Sequence, residues 1–94
     1  MQTEKNTAQL KRYSLYGTSA CHLCELAEAL VVAVLRNGAR CTVEDIDISE
    51  SDDLMERYGE RIPVLRHPDG QELNWPFTAE EVERFLAAVA RLTS

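Results

Sequence analysis

Apolar residues recur along the chain at two different spacings, and the change from one to the other marks out its elements. From Lys11 to Gly17 the stretch Tyr13-Ser14-Leu15-Tyr16 is short, aromatic and β-prone, and it ends at a glycine followed by Thr18-Ser19-Ala20. That pattern predicts a strand running into a turn. Beyond it Leu23, Leu26, Ala27, Leu30, Val31 and Val34 repeat at three and four residues, with Glu25 and Glu28 between them, until Asn37-Gly38 supplies a stop. The change of period predicts a helix that opens at Cys21 and Cys24.

Arg40 to Ile48 is β-branched and partly alternating, with Val43, Ile46 and Ile48 as its apolar members, and predicts a second strand. Ser49 or Ser51 is placed to cap a short acidic helix running to Tyr58 and stopped by Gly59. Ile62 to Leu65 around Pro63, the turn His67-Pro68-Asp69-Gly70 and the stretch Gln71 to Trp75 form a hairpin pattern. Thr78 followed by Glu81 is a capping box, and Val82, Phe85, Leu86, Val89 and Leu92 fall on one face of a last helix. The predicted order is β-α-β-α-β-β-α. Its first two strands are parallel through a right-handed crossover and its hairpin is antiparallel, giving an α/β fold with a mixed four-stranded sheet flanked by helices. Residues 1–10 are polar and aperiodic and read as a flexible leader; residues 11–94 read as one domain.

Ninety-four residues suffice for one core and not for two, and 45% hydrophobic with 28% charged residues is ordinary globular usage. Ten basic against sixteen acidic residues leave a net charge of −6, which argues against nucleic acid and anionic membranes as partners. Ala29–Leu35, the longest apolar run, is far short of the roughly 20 residues a membrane span needs. The first residues lack a secretory pattern, so the cytoplasm is the expected compartment. A monomer is the expected state. Three cysteines are an odd count and too few for a disulfide framework. In a reducing compartment, Cys21-His22-Leu23-Cys24 therefore reads as catalytic or metal-binding.

Its position favours redox chemistry. A cysteine at a helix start meets unpaired N–H groups and the positive end of the helix dipole, which stabilise its thiolate; Cys21 is the expected nucleophile. Cys24, nearly one turn on, is the expected resolving thiol. His22 adds positive charge beside the thiolate when protonated, while Glu25 and Glu28 oppose it. Pro63 has two readings: an edge-strand proline, or a cis Ile62-Pro63 bond whose turn presents the Ile62 backbone to an incoming chain beside Cys21.

LYGTSACHLCELAEAL, the RIPVL segment and DGQELNWPFTAEEVERFL together resemble the glutaredoxin-like family of small bacterial proteins with the thioredoxin fold. The resemblance implies a sheet order of 2-1-3-4, a redox role for Cys21 and Cys24, and Pro63 as the cis proline that faces them. Independently of the resemblance, the N-terminus of the last helix near Thr78 is placed to receive a substrate carboxylate, and the Ile62 backbone to pair with an incoming chain. Against true glutaredoxins, His22 replaces the proline after the first cysteine and no lysine stands just before the pair. Trp75-Pro76-Phe77-Thr78 stands where a Gly-Gly pair would precede the last helix, so glutathione is a doubtful partner.

The expected function is a thiol–disulfide oxidoreductase, without cofactor or metal, acting on a disulfide-containing protein or a low-molecular-weight thiol. The alternative is a non-catalytic metal-binding module, zinc or iron–sulfur, or a partner-binding module on the same fold. Cys21, Cys24, Cys41 and His67 would in number satisfy a zinc site, but Cys41 reads as a small buried hydrophobe and His67 as a solvated turn residue. Asp45 to Glu56 matches the ligand spacing of an EF-hand loop, yet Glu50 occupies the glycine position. Residues 44 to 60 hold eight of the acids with only Arg57 opposing and read as a solvated face; Trp75 and Phe77 read as core.

Overall fold

The computed structural model describes residues 11–39 and 41–92. The expected leader lies outside the described residues, as do the side chains of the expected core positions Val89 and Leu92. Strand β1 (Lys11–Gly17) leads into helix α1 (His22–Arg36), followed by β2 (Cys41–Asp47), a 3-10 turn (Ile48–Glu50) and α2 (Asp52–Tyr58). The hairpin strands β3 (Val64–Arg66) and β4 (Glu72–Asn74) precede α3 (Ala79–Leu92). The sheet order is β2-β1-β3-β4, with β1 and β2 parallel and the other pairs antiparallel, as the resemblance implies.

Alternation along the central strands divides the core between the two faces of the sheet. Tyr13 and Leu15 of β1 and Leu65 of β3 pack with Ala27, Val31 and Val34 of α1 and with Val82 and Leu86 of α3. Tyr16 and Val64 face the other way, onto Ile48 and Tyr58 at the ends of the 3-10 turn and α2. The Tyr16 and Tyr58 rings stack at 4.4 Å. Burial pushes the Tyr13 hydroxyl up to about 12, helped by the nearby Cys41 and Asp69.

Element ends differ from expectation where local hydrogen bonds compete with the ladder. Asp47 accepts from the Ser49 N–H at 2.9 Å and its hydroxyl at 2.7 Å, so Ile48 turns out of the expected strand, though its side chain stays buried. Ser49 is thereby engaged, and Ser51 caps α2 by accepting from Leu54 N–H at 3.2 Å. The third strand begins at Val64 rather than Ile62, since Pro63 has no N–H and the Ile62 N–H donates back to Tyr58 at 3.1 Å. Gly70, at φ 108°, closes the hairpin turn in the left-handed region that glycine tolerates.

His67 corrects the expectation of a solvated turn residue. It is buried at 5% exposure, its ring meets Tyr13 edge-on at 5.1 Å, and its Nδ1 lies 2.7 Å from the Asp69 Oδ1. A turn position puts the backbone outside, while the side chain folds back over the end of β1. Hydrogen bonds from the Gln71 N–H, His67 and the Gln71 side chain hold Asp69 at about 2. On the same hairpin Glu72 accepts from Tyr58 Oη at 2.7 Å and from Arg61 Nη2, joining the end of α2 to β4.

Candidate functional site

Parallel pairing makes β1 and β2 finish at the same end of the sheet, where Gly17 is opposite Asp47. The chain leaves that end through Thr18-Ser19-Ala20 and enters α1 at Cys21, whose extended backbone (φ −125°, ψ 110°) makes it the N-cap. Serine, threonine, aspartate or asparagine usually fills that position; here the Cys21 Sγ accepts from the Cys24 N–H at 3.1 Å. The two half-buried cysteines have their sulfurs at disulfide-bonding distance, with Cα atoms 5.2 Å apart.

Gly17 is a site residue that sequence reasoning read only as the end of a strand. A Cβ there would meet the Cys24 Sγ at 3.0 Å and its Cβ at 3.2 Å. The absent side chain lets the first turn of α1 close onto β1 beneath the disulfide. Gly17→Val is expected to lower stability by about 1–3 kcal/mol and to shift the thiol–disulfide equilibrium of the pair. Urea unfolding of both redox forms and equilibration with dithiothreitol would measure this; an unchanged equilibrium would show that Gly17 does not position Cys24.

Tyr16 pairs with Val64, so continuing the antiparallel register by one residue sets Pro63 beside Gly17. Pro63 is buried and follows a cis bond from Ile62; its carbonyl accepts from the Trp75 N–H at 3.3 Å. A second cis bond, Trp75–Pro76, was not anticipated. That pairing carries the chain through Phe77, buried against Trp75 at 5.0 Å between rings, to Thr78. Thr78 is exposed and engaged in the capping box, its N–H donating to Glu81 at 2.8 Å and its hydroxyl accepting from the Glu81 N–H at 3.1 Å. The expected site residues Cys21, Cys24, Ile62, Pro63 and Thr78 thus all follow or precede strand ends on one side of the sheet. His22 points to solvent with its Nδ1 4.0 Å from Glu25.

A cleft of 320 Å³ opens between β1, α1 and β2 beside this pair, its lining including Cys24, Glu25, Glu28, Asp45 and Asp47. Hydrogen bonds from the Ser49 hydroxyl and N–H, and from Thr18, hold Asp47 below the usual carboxylate range. Glu28 stands above it, through a hydrogen bond with Asp45 and the negative charge of that neighbour. Composition alone suggested a solvated acidic face; parallel pairing brings part of it against the disulfide.

Cys41 begins β2 opposite Lys11, at the far end of β1 from Cys21, and burial pushes its thiol up. Among the described residues no three His, Cys, Asp or Glu side chains gather as metal ligands, so the four residues of the zinc alternative do not meet. Nor is any helix among the described residues long and apolar enough to cross a membrane.

Residues 12–87 match the model of the glutaredoxin-like domain (DUF836). The X-ray structure of target protein XcR50 from X. campestris is 39% identical, with 81% of this chain and 96% of that chain covered and a TM-score of 0.68. Protein Ne2328 from Nitrosomonas europaea is 28% identical over 83% of this chain and 93% of its own, with a TM-score of 0.66. A mutant thioredoxin from Halobacterium salinarum is 19% identical over 92% of this chain and 80% of its own, at a TM-score of 0.66, and shares the fold. No curated protein matches this sequence.

Proposed function

Since the chain belongs to the glutaredoxin-like domain family, with the thioredoxin-like fold, we propose that it is an enzyme, a thiol–disulfide oxidoreductase cycling Cys21 and Cys24 between dithiol and disulfide. The observation that carries this reading is the cysteine pair itself, at disulfide-bonding distance, with Cys21 as the cap of a 15-residue helix. In the reducing direction the Cys21 thiolate attacks one sulfur of a substrate disulfide, forms a mixed disulfide and releases the other sulfur as a thiolate, which takes up a proton. Cys24 then attacks the Cys21 sulfur, releases the second substrate thiolate and leaves the Cys21–Cys24 disulfide. Two electrons have passed to the substrate, and an external dithiol or a thiol reductase returns them. No bound cofactor enters this cycle. Ile62, Pro63 and Thr78 form the substrate side of the reading, and His22, when protonated, adds positive charge beside Cys21.

Glutathione is a poor partner in this reading. Its terminal charges need fixed cations and free donor amides. Arg61, the basic residue nearest the groove in sequence, is paired with Glu72 and donates to Asn74 at 3.2 Å. The Thr78 N–H is held by Glu81, and the cleft beside Cys24 is acidic. The test is catalytic reduction of a protein disulfide with dithiothreitol as donor, beside a coupled glutathione assay. Turnover is expected with the first and only a small fraction of it with the second. No turnover with either donor, with the pair shown to be reduced, would refute the enzyme; fast glutathione turnover would refute the partner assignment.

A further inference from the structure

The cleft beside Cys24 has a charge that the redox cycle itself does not use. Glu25, Glu28, Asp45 and Asp47 contribute to its lining, and among the described residues no lysine or arginine does. Two of its carboxyl groups, on Glu28 of α1 and Asp45 of β2, line it from its two walls, so that negative charge faces negative charge across the gap. Any group that approaches the disulfide from this side enters their field, which bulk salt screens only beyond a distance of about 10 Å at 0.1 M. At 320 Å³ the cleft lies at the lower limit of pockets for small organic ligands and suits one or two side chains.

The other flank of α1 is different in kind. Leu23, between the cysteines, and Leu26, three residues on and therefore on the same helix face, are 45% and 44% exposed. The disulfide therefore stands between an acidic cleft and an apolar ridge. A small thiol would engage one of these flanks; a polypeptide segment has the length to cover both.

Resting on the redox reading above, we propose that this protein acts on disulfide-bearing polypeptides whose reactive cysteine is flanked by lysine or arginine, with Glu28 and Asp45 as the residues that select them. The selection is electrostatic: the acidic lining attracts a flanking cation and repels a flanking anion. It acts mainly on the rate of productive encounter, because the chemical step at Cys21 is the same for either substrate.

The test uses the reduced full-length protein and two disulfide-linked peptides of identical core sequence, one with lysines and one with glutamates flanking the cysteine. Formation of the Cys21–Cys24 disulfide reports the rate. In low salt the lysine peptide is expected to react about tenfold faster, with the advantage falling to about twofold in 1 M salt. Glu28→Gln with Asp45→Asn should cut the low-salt advantage by at least half, chiefly by speeding the glutamate peptide. Asp52→Asn with Glu56→Gln on α2 removes the same charge away from the cleft and should leave the ratio in place. Equal rates for the two peptides in low salt would overturn the proposal. So would an undiminished ratio in the cleft variant, or the same loss in the α2 variant, since net charge and not the cleft would then govern. Both peptides failing to oxidise the pair would instead refute the redox reading, and this selection with it.

Discussion

Cys24→Ser protein mixed with a disulfide-bonded peptide is expected to accumulate as a one-to-one mixed disulfide through Cys21. Cys21→Ser is expected to lose disulfide reduction by at least about a hundredfold. The asymmetry follows from the helix start. Cys21 is the cap, and its sulfur accepts from the Cys24 N–H, an interaction that favours a thiolate over a thiol. Cys24 lies inside the first turn, behind Gly17, and is placed to attack only a sulfur already attached at Cys21. Without the resolving thiol the first step proceeds and the second does not, so the intermediate persists. Intact mass and peptide mapping read the outcome, and alkylation against pH should show Cys21 reacting at lower pH than Cys24. Cys41 provides an internal control, since burial pushes its thiol up and it should stay unmodified. A mixed disulfide found at Cys24 instead, or equal alkylation of both thiols, would reverse the assignment.

Leu65→Ala is expected to cost about 3 kcal/mol, a large share of the roughly 5–15 kcal/mol that stabilises a domain of this size. Leu65 has no exposed surface, lies on β3 opposite Leu15 of β1 and Leu73 of β4, and packs into the core between the sheet and helices α1 and α3. Because β3 is only three residues long, truncation there removes contacts that its neighbours cannot replace. The shift in the urea midpoint at constant slope measures it. A loss under 1 kcal/mol would mean that β3 is not part of the cooperative core. The site should suffer as well, since Pro63 is held beside Gly17 by the pairing that starts at Val64.

The long periodic segments were legible in the chain. Strand β1 and helix α1 appear where their apolar spacing places them, and the capping box at Thr78 and Glu81 forms both of its hydrogen bonds. Local propensity and tertiary packing agree at these places, which is why reading them needed no knowledge of distant residues. Short elements were less legible. The strands of the hairpin are three residues each, and their ends are decided by which backbone donors are free: Ile62 donates to Tyr58 and Pro63 has none. His67 shows the same limit, because a turn signal describes the backbone and says nothing of where an imidazole can fold back.

What the amino-acid sequence determined by itself was the order of elements and the pairing of two cysteines at a helix start, since both depend on residues within a few positions of one another. Tertiary structure alone decided the rest of the candidate site. Gly17 matters because Cys24, seven positions later, returns to within contact distance of it. Pro63 comes to the same end of the sheet through antiparallel pairing. Asp45 and Glu28 line one cleft because β2 lies parallel beside β1 in the register that puts Asp45 opposite Leu15, with α1 joining the two strands. Spacing along a chain records none of these approaches, as each is set by strand register and by the direction in which a strand returns.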